Sequence, residues 1–180
     1  MTRLLCAILL LSSSVLAKDP AADALVQHTI TIAPRGQGAA YINLHDGKAY
    51  EEKDAAAHKD ELDFVYLVTK DPNNIERDLY DLSGHDTHLP AEVVGGHAGI
   101  VSLGWDDDLI AKCKTVADLK RMAGSYTVNS FSFFANMASN PKGELDHKSY
   151  IFLDGHGRMG IFTLKQGEGD TLVLQVKITP

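Results

Sequence analysis

Ser149–Thr179 reads SYIFLDGHGRMGIFTLKQGEGDTLVLQVKIT, and this stretch decides the fold class. Its last segment, Thr171–Thr179, alternates strictly. Leu172, Leu174, Val176 and Ile178 fall on one side and Val173, Gln175, Lys177 and Thr179 on the other. Period-two alternation describes a strand with one buried and one wet face. Two further apolar segments precede it, Ser149–Leu153 and Met159–Lys165. The breaks are Asp154-Gly155-His156-Gly157 and Gln166-Gly167-Glu168-Gly169-Asp170, whose glycines supply the positive φ of hairpin turns. The stretch is therefore a three-strand meander. Ile151, Leu153, Ile161, Phe162 and Leu164 are assigned to the core of the last strand. Three short strands need a cover for their apolar face, so the rest of the chain must supply it.

Working back through the sequence, Gln27–Ala33 alternates Thr and Ile up to Pro34 and reads as a strand. Ala40–Leu44 and Lys48–Glu51 flank His45-Asp46-Gly47, an Asp-Gly hairpin signal. Glu51–Asp60 is rich in Ala, Glu and Lys and reads as a short helix. Leu62–Thr69, LDFVYLVT, has the continuous apolar content of a central strand buried on both faces. Asp71-Pro72-Asn73-Asn74 is a break. Ile75–Val101 reads as long loops with short strands, Ile100–Leu103 among them. Leu109–Cys113 is a short helix. A second starts after Thr115, with Asp118 at its third position and Gly124 just past its end. In Ser130–Ser139, Phe131, Phe134, Ala135 and Ala138 form a helical stripe while Phe131, Phe133 and Ala135 fit a strand; the helix is preferred. The expected fold is mainly β (α+β), an antiparallel sandwich or partial barrel built from hairpins with two or three short helices.

Met1–Ala17 joins Arg3, the apolar run Leu4–Leu11 and a small-residue end with Val15 and Ala17. This is the pattern of a secretory signal peptide cleaved after Ala17. The remaining chain, 18–180, has the length of one domain. The expected location is secreted or periplasmic, without a membrane span. Cleavage removes one Arg and no acid, so the formal charge of −7 becomes −8. A net negative chain disfavours nucleic acid and anionic membrane as partners. Of the two cysteines, cleavage removes Cys6. Cys113 is then left without an intrachain partner, as a small buried apolar residue.

Eight histidines are the unusual supply of chemistry. His85, His88 and His97 lie closest together, in the loop-rich region, and imidazole is the commonest ligand of transition metals and haem. The pattern has no helix signal, no Cys and no Glu-x-x-His, so solvated loop histidines are the simpler reading. Asp106-Asp107-Asp108 lacks calcium-loop spacing and suits a helix start. Asp154-Gly155-His156-Gly157-Arg158 is a hairpin turn. No Gly-x-Ser-x-Gly elbow, His-Glu-x-x-His helix, Cys-His arrangement or P-loop occurs. Tyr66, Tyr80, Trp105 and Tyr126 are candidates for a sugar platform, set against the simpler reading as core residues.

The segment YINLHDGKAYEEKDAAAHKDELDFVYLV, Tyr41–Val68, has the order strand, Asp-Gly-Lys turn, Ala-rich helix and Asp-Phe-Val-Tyr strand. With Val116–Ala123 and the closing meander, it resembles exported β-rich domains of Bacteroidetes-type surface lipoproteins of mostly unknown function. More distantly it resembles the HmuY haem-binding proteins. The resemblance implies a β-rich exported domain. HmuY-type proteins ligate haem iron through histidine or methionine pairs; no such motif matches here residue by residue, and no lipobox is present. The expected function is an exported, non-enzymatic binding or interaction domain without a cofactor, its partner a small ligand, surface protein or glycan. One alternative is haem or zinc binding through His85, His88 and His97. Another is a secreted hydrolase of polysaccharide or peptide, carried by paired carboxylates.

Overall fold

The computed structural model describes residues 23–83, 89–95, 97–104, 108–124, 126, 131–146 and 149–180. The expected signal peptide, Trp105, Asp106 and Asp107 lie outside them. The described chain forms two five-stranded antiparallel sheets packed face to face, a sandwich and not a closed barrel. Sheet I has the order β1 (Val26–Ile32), β10 (Leu172–Ile178), β9 (Met159–Gln166), β8 (Ser149–Leu153), β6 (Gly99–Gly104). Sheet II has the order β3 (Lys48–Tyr50), β2 (Tyr41–Asn43), β4 (Phe64–Asp71), β5 (Asn74–Asp81), β7 (Phe134–Asn140).

The closing meander is β8, β9 and β10, and its alternation sets the inner face of sheet I. Leu172, Leu174, Val176 and Ile178 are buried against Phe64, Tyr66, Leu79 and Met137 of sheet II. Burying each such side chain is worth roughly 1.5–3 kcal/mol, which makes this interface the main stabilising layer. β4 is central in sheet II and buried on both faces, as its composition requires. Phe64 and Tyr66 enter the inter-sheet core, while Val65 and Leu67 pack outward under the 51–61 segment. That segment is one turn of α-helix, α1 (Glu52–Ala55), continued as a 3-10 turn over Ala56–Glu61.

Sheet I is also covered on its outside. α2 (Leu109–Lys112) and α3 (Val116–Ala123) lie over Ile151 and Ile161 with Cys113 and Leu119. Ile151 and Ile161 therefore belong to this outer layer and not to the core of the last strand. Tyr150 and Phe152, one residue out of phase, fill the inner position instead. Cys113 is a free, buried thiol in the same layer. α3 starts with the capping box its sequence indicates: Thr115 Oγ1 accepts the Asp118 amide, and the Asp118 carboxylate accepts the Thr115 amide, each at 3.1 Å. Gly124 ends it with φ −61°, so the helix closes without a left-handed cap.

Two further sequence expectations are corrected. Ser130–Ser139 does not form a helix over its described part; Phe134–Asn140 is the edge strand β7, paired with β5 from Tyr80↔Phe134 to Ile75↔Asn140. A free strand edge outweighs a weak helical stripe, because pairing there satisfies a row of backbone groups. Asn74–Asp81 is a full strand and not part of a long loop. Pro72-Asn73 is its two-residue turn, and Asp71 Oδ1 accepts the Asn73 amide at 2.7 Å.

Candidate binding groove at the seam of the two sheets

The sheets meet along two seams. At one, edge strands β6 and β7 run side by side, and the chain crosses between them within two residues. Ser132 exchanges backbone hydrogen bonds with Ile100 of sheet I, at 2.9 and 3.0 Å. The next carbonyl, of Phe133, accepts the Asp81 amide of sheet II at 2.8 Å. Beyond this crossing the edges part and leave a groove of about 290 Å³, lined by Ile100, Ser102, Ser132, Phe134, Asn136 and Tyr150 among others.

The crossing also explains an exposed aromatic cluster. Phe133 and Phe134 are 43% and 40% exposed, unusual for residues in a sheet this well covered. Their ring centroids are 5.3 Å apart. Phe134 also stacks on Tyr80, its cross-strand partner, with centroids 5.6 Å apart and planes 18° apart. Phe131 and Phe133 lie in the crossing ahead of β7, and Phe134 opens that strand. Phe131 packs with the outer layer of sheet I; the other two remain at the surface.

Beside the aromatics lies a carboxylate–amide pair. Asp78 of β5 is buried, and its Oδ1 accepts Asn136 Nδ2 of β7 at 2.8 Å. Burial pushes the Asp78 carboxyl above its ordinary range; Asn136 opposes the rise and neighbouring Glu76 adds to it. Ordinary strand alternation turns Arg77 inward and Asp78 outward, and the pairing skips Met137 between Arg77↔Ala138 and Asp78↔Asn136, a β-bulge in β7.

Several other polar groups are engaged structurally. Arg77, 2% exposed, donates to Tyr66 Oη at 2.7 Å, to the Gly143 carbonyl at 2.9 Å and to Asp170 Oδ1 at 3.0 Å. Tyr66 is therefore a core residue and no sugar platform. Burial raises its hydroxyl to about 12, with Arg77 opposing. Asp154 is buried in the β8–β9 turn, where it accepts the His156 and Arg158 amides and pairs with the Arg158 guanidinium. The sequence Asp154–Arg158 is thus a turn held by its own carboxylate. A cleft of about 500 Å³ lies between the 141–146 loop and the end of β9. Its rim is solvated: the Lys142 side chain is 79% exposed and sits 3.7 Å from Glu144.

Among the histidines expected to ligate, His85 and His88 lie outside the described residues, and His97 is exposed just before β6. Among the described residues, no group of three or more His, Cys, Asp or Glu side chains is placed to hold a metal ion. Tyr80 lies at the groove's aromatic cluster, Tyr126 is half-buried after α3, and no described helix is long and apolar enough to cross a membrane. Phe133, Phe134 and Asn136 are the residues that sequence reasoning missed. The run Phe131–Phe134, three aromatics in four residues, was the available signal.

The fold has a solved counterpart. The crystal structure of a DUF4466 family protein from Parabacteroides merdae superposes with a TM-score of 0.57 over 84% of this chain and 53% of that one, at 10% sequence identity. This chain thus spans about half the length of that neighbour, and the likeness is one of fold. No protein-family model and no curated protein matches the sequence.

Proposed function

We propose that this chain is an exported, non-enzymatic binding domain and that the β6–β7 seam is its ligand surface. The single observation behind the reading is the juxtaposition at that seam of exposed Phe133 and Phe134 with a groove and the Asp78–Asn136 pair. Exposed aromatics contiguous with a cleft mark interaction sites on proteins of this size. Three aspartates, Asp63, Asp81 and Asp154, are each buried at 2–3% exposure. Asp63 and Asp154 accept hydrogen bonds that tie turns and strand ends together, and Asp81 accepts one from the Ser83 hydroxyl. Such carboxylates stabilise turns rather than meet a substrate.

The test is retention of the full chain on an array carrying glycans, peptides and lipids, with release of cleaved fragments monitored in parallel. The expected result is retention by one class without cleavage, abolished by Phe133→Ser/Phe134→Ser. Cleavage of an arrayed polymer, or retention indifferent to that double substitution, would contradict the reading.

A further inference from the structure

We infer that the seam groove takes a single uncharged sugar ring, its apolar face on Phe134 and its hydroxyls on Asn136 and Ser132. The inference rests on the seam being the ligand surface and goes on to name the ligand's chemistry.

Size is the first argument. At about 290 Å³ the groove sits at the small end of ligand pockets, which run from roughly 300 to 1,000 Å³. It suits one ring better than an extended polymer.

Polarity is the second. One N–H of the Asn136 amide is given to Asp78, which also fixes the orientation of the amide, since the nitrogen must face the carboxylate. A second N–H and the carbonyl oxygen remain on the same group. Donor and acceptor side by side match a hydroxyl, which is itself both. Ser132 is exposed at the groove and brings another hydroxyl. A purely apolar ligand would strip water from these groups and return nothing, at about 1–3 kcal/mol for each unpaired group.

Charge is the third. Among the described residues the lining holds no cation, and the acidic Asp78 stands hydrogen-bonded behind Asn136. An anionic ligand would meet negative potential without a counter-charge. A neutral ring with one C–H face and a rim of hydroxyls satisfies both the Phe134 face and the amide.

A peptide adding along β7 is disfavoured by the strand's outer edge. Asp146 already occupies it beyond Asn136: its amide donates to the Met137 carbonyl at 2.7 Å and its carboxylate accepts the Ser139 amide at 2.8 Å. Strand addition needs those same groups.

Saturation-transfer-difference NMR on the full chain tests the inference. The probes are the methyl glycosides of glucose, galactose and mannose against glucuronate and N-acetylneuraminate. Transfer to at least one neutral glycoside is expected, with at least a tenfold loss of signal in Phe134→Ala and in Asn136→Ala. Amide spectra of both variants would show the fold retained. Transfer to the charged sugars alone, still dependent on Phe134, would overturn the neutral-ring assignment while leaving the seam as the ligand surface. Transfer unaffected by either substitution, or no transfer to any neutral ring, would also overturn it. Arrays that retain a peptide or lipid through Phe134 would separate that failure from failure of the seam itself.

Discussion

The carboxylate of Asp63 accepts the Leu44 amide at 2.7 Å, and its other oxygen faces the Gly155 amide at 3.4 Å. Leu44 follows β2 in sheet II, and Gly155 lies in the β8–β9 turn of sheet I. One buried side chain therefore joins the two sheets at this end. Burial pushes the Asp63 carboxyl up to about 7; the Leu44 amide opposes the rise and neighbouring Asp154 adds to it.

That shift fixes the sign of a pH effect. Between the unfolded value, about 3.9, and the folded value, the native state holds more protons on Asp63 than the unfolded chain. The group's contribution is thus fully present below about pH 4 and is lost as pH rises through about 7. The wild type should lose stability relative to Asp63→Asn across this window, by a few kcal/mol at most. Urea denaturation of both chains at pH 4.5, 6 and 8 reads the difference, and parallel pH profiles would refute it.

Removing the buried guanidinium should be costly. Arg77→Met strands the Gly143 carbonyl and leaves Asp170 with only the Lys70 ion pair. Breaking one side of such a pair costs about 3–5 kcal/mol. Guanidinium chloride unfolding should show a loss of that order with an unchanged m-value.

Gly47 carries a constraint of two kinds. Its φ is +68°, and a Cβ built on it would lie 2.4 Å from His28 Cγ. His28 is held there because its Nε2 donates to the His45 carbonyl at 2.7 Å. Gly47→Ala should cost about 1–2 kcal/mol from the left-handed backbone alone, and more from the clash. Adding His28→Ala should return only the part of the clash made by the ring atoms, because the Cβ that alanine keeps still lies 2.7 Å from the added methyl. A double-mutant cycle of melting free energies checks this, and strict additivity would contradict it.

The cap on α3 gives a smaller effect. Thr115→Ala removes the acceptor of the Asp118 amide and should cost about 1 kcal/mol, with Thr115→Ser restoring most of it. Chemical denaturation of the three chains measures the difference.

How far the sequence went depends on what each residue faced. The closing meander was legible because β10 alternates without exception, and β4 because both its faces are apolar. Ile151 and Ile161 went to the wrong layer because an apolar residue facing helices looks the same as one facing a sheet. β5 was hidden because Arg77, Asp78 and Asp81 are buried in it; local hydropathy has no record of Tyr66, Gly143 and Asp170, which make that burial possible. β7 carried both helical and strand spacings, and only the vacant edge of β5 decided between them. The groove depends on a crossing between Ile100 and Ser132, 32 positions apart, and on Asn136 meeting Asp78, 58 apart. Pairings at that range are set by the assembled sheets.

Amide chemical-shift mapping tests the central claim most directly, with a neutral methyl glycoside titrated into the full, isotopically labelled chain. The largest shifts are expected at Ser132–Asn136, Tyr80 and Ser102, around the seam. Shifts confined to the Lys142–Leu145 cleft or to the surroundings of His97, with the seam unmoved, would contradict it.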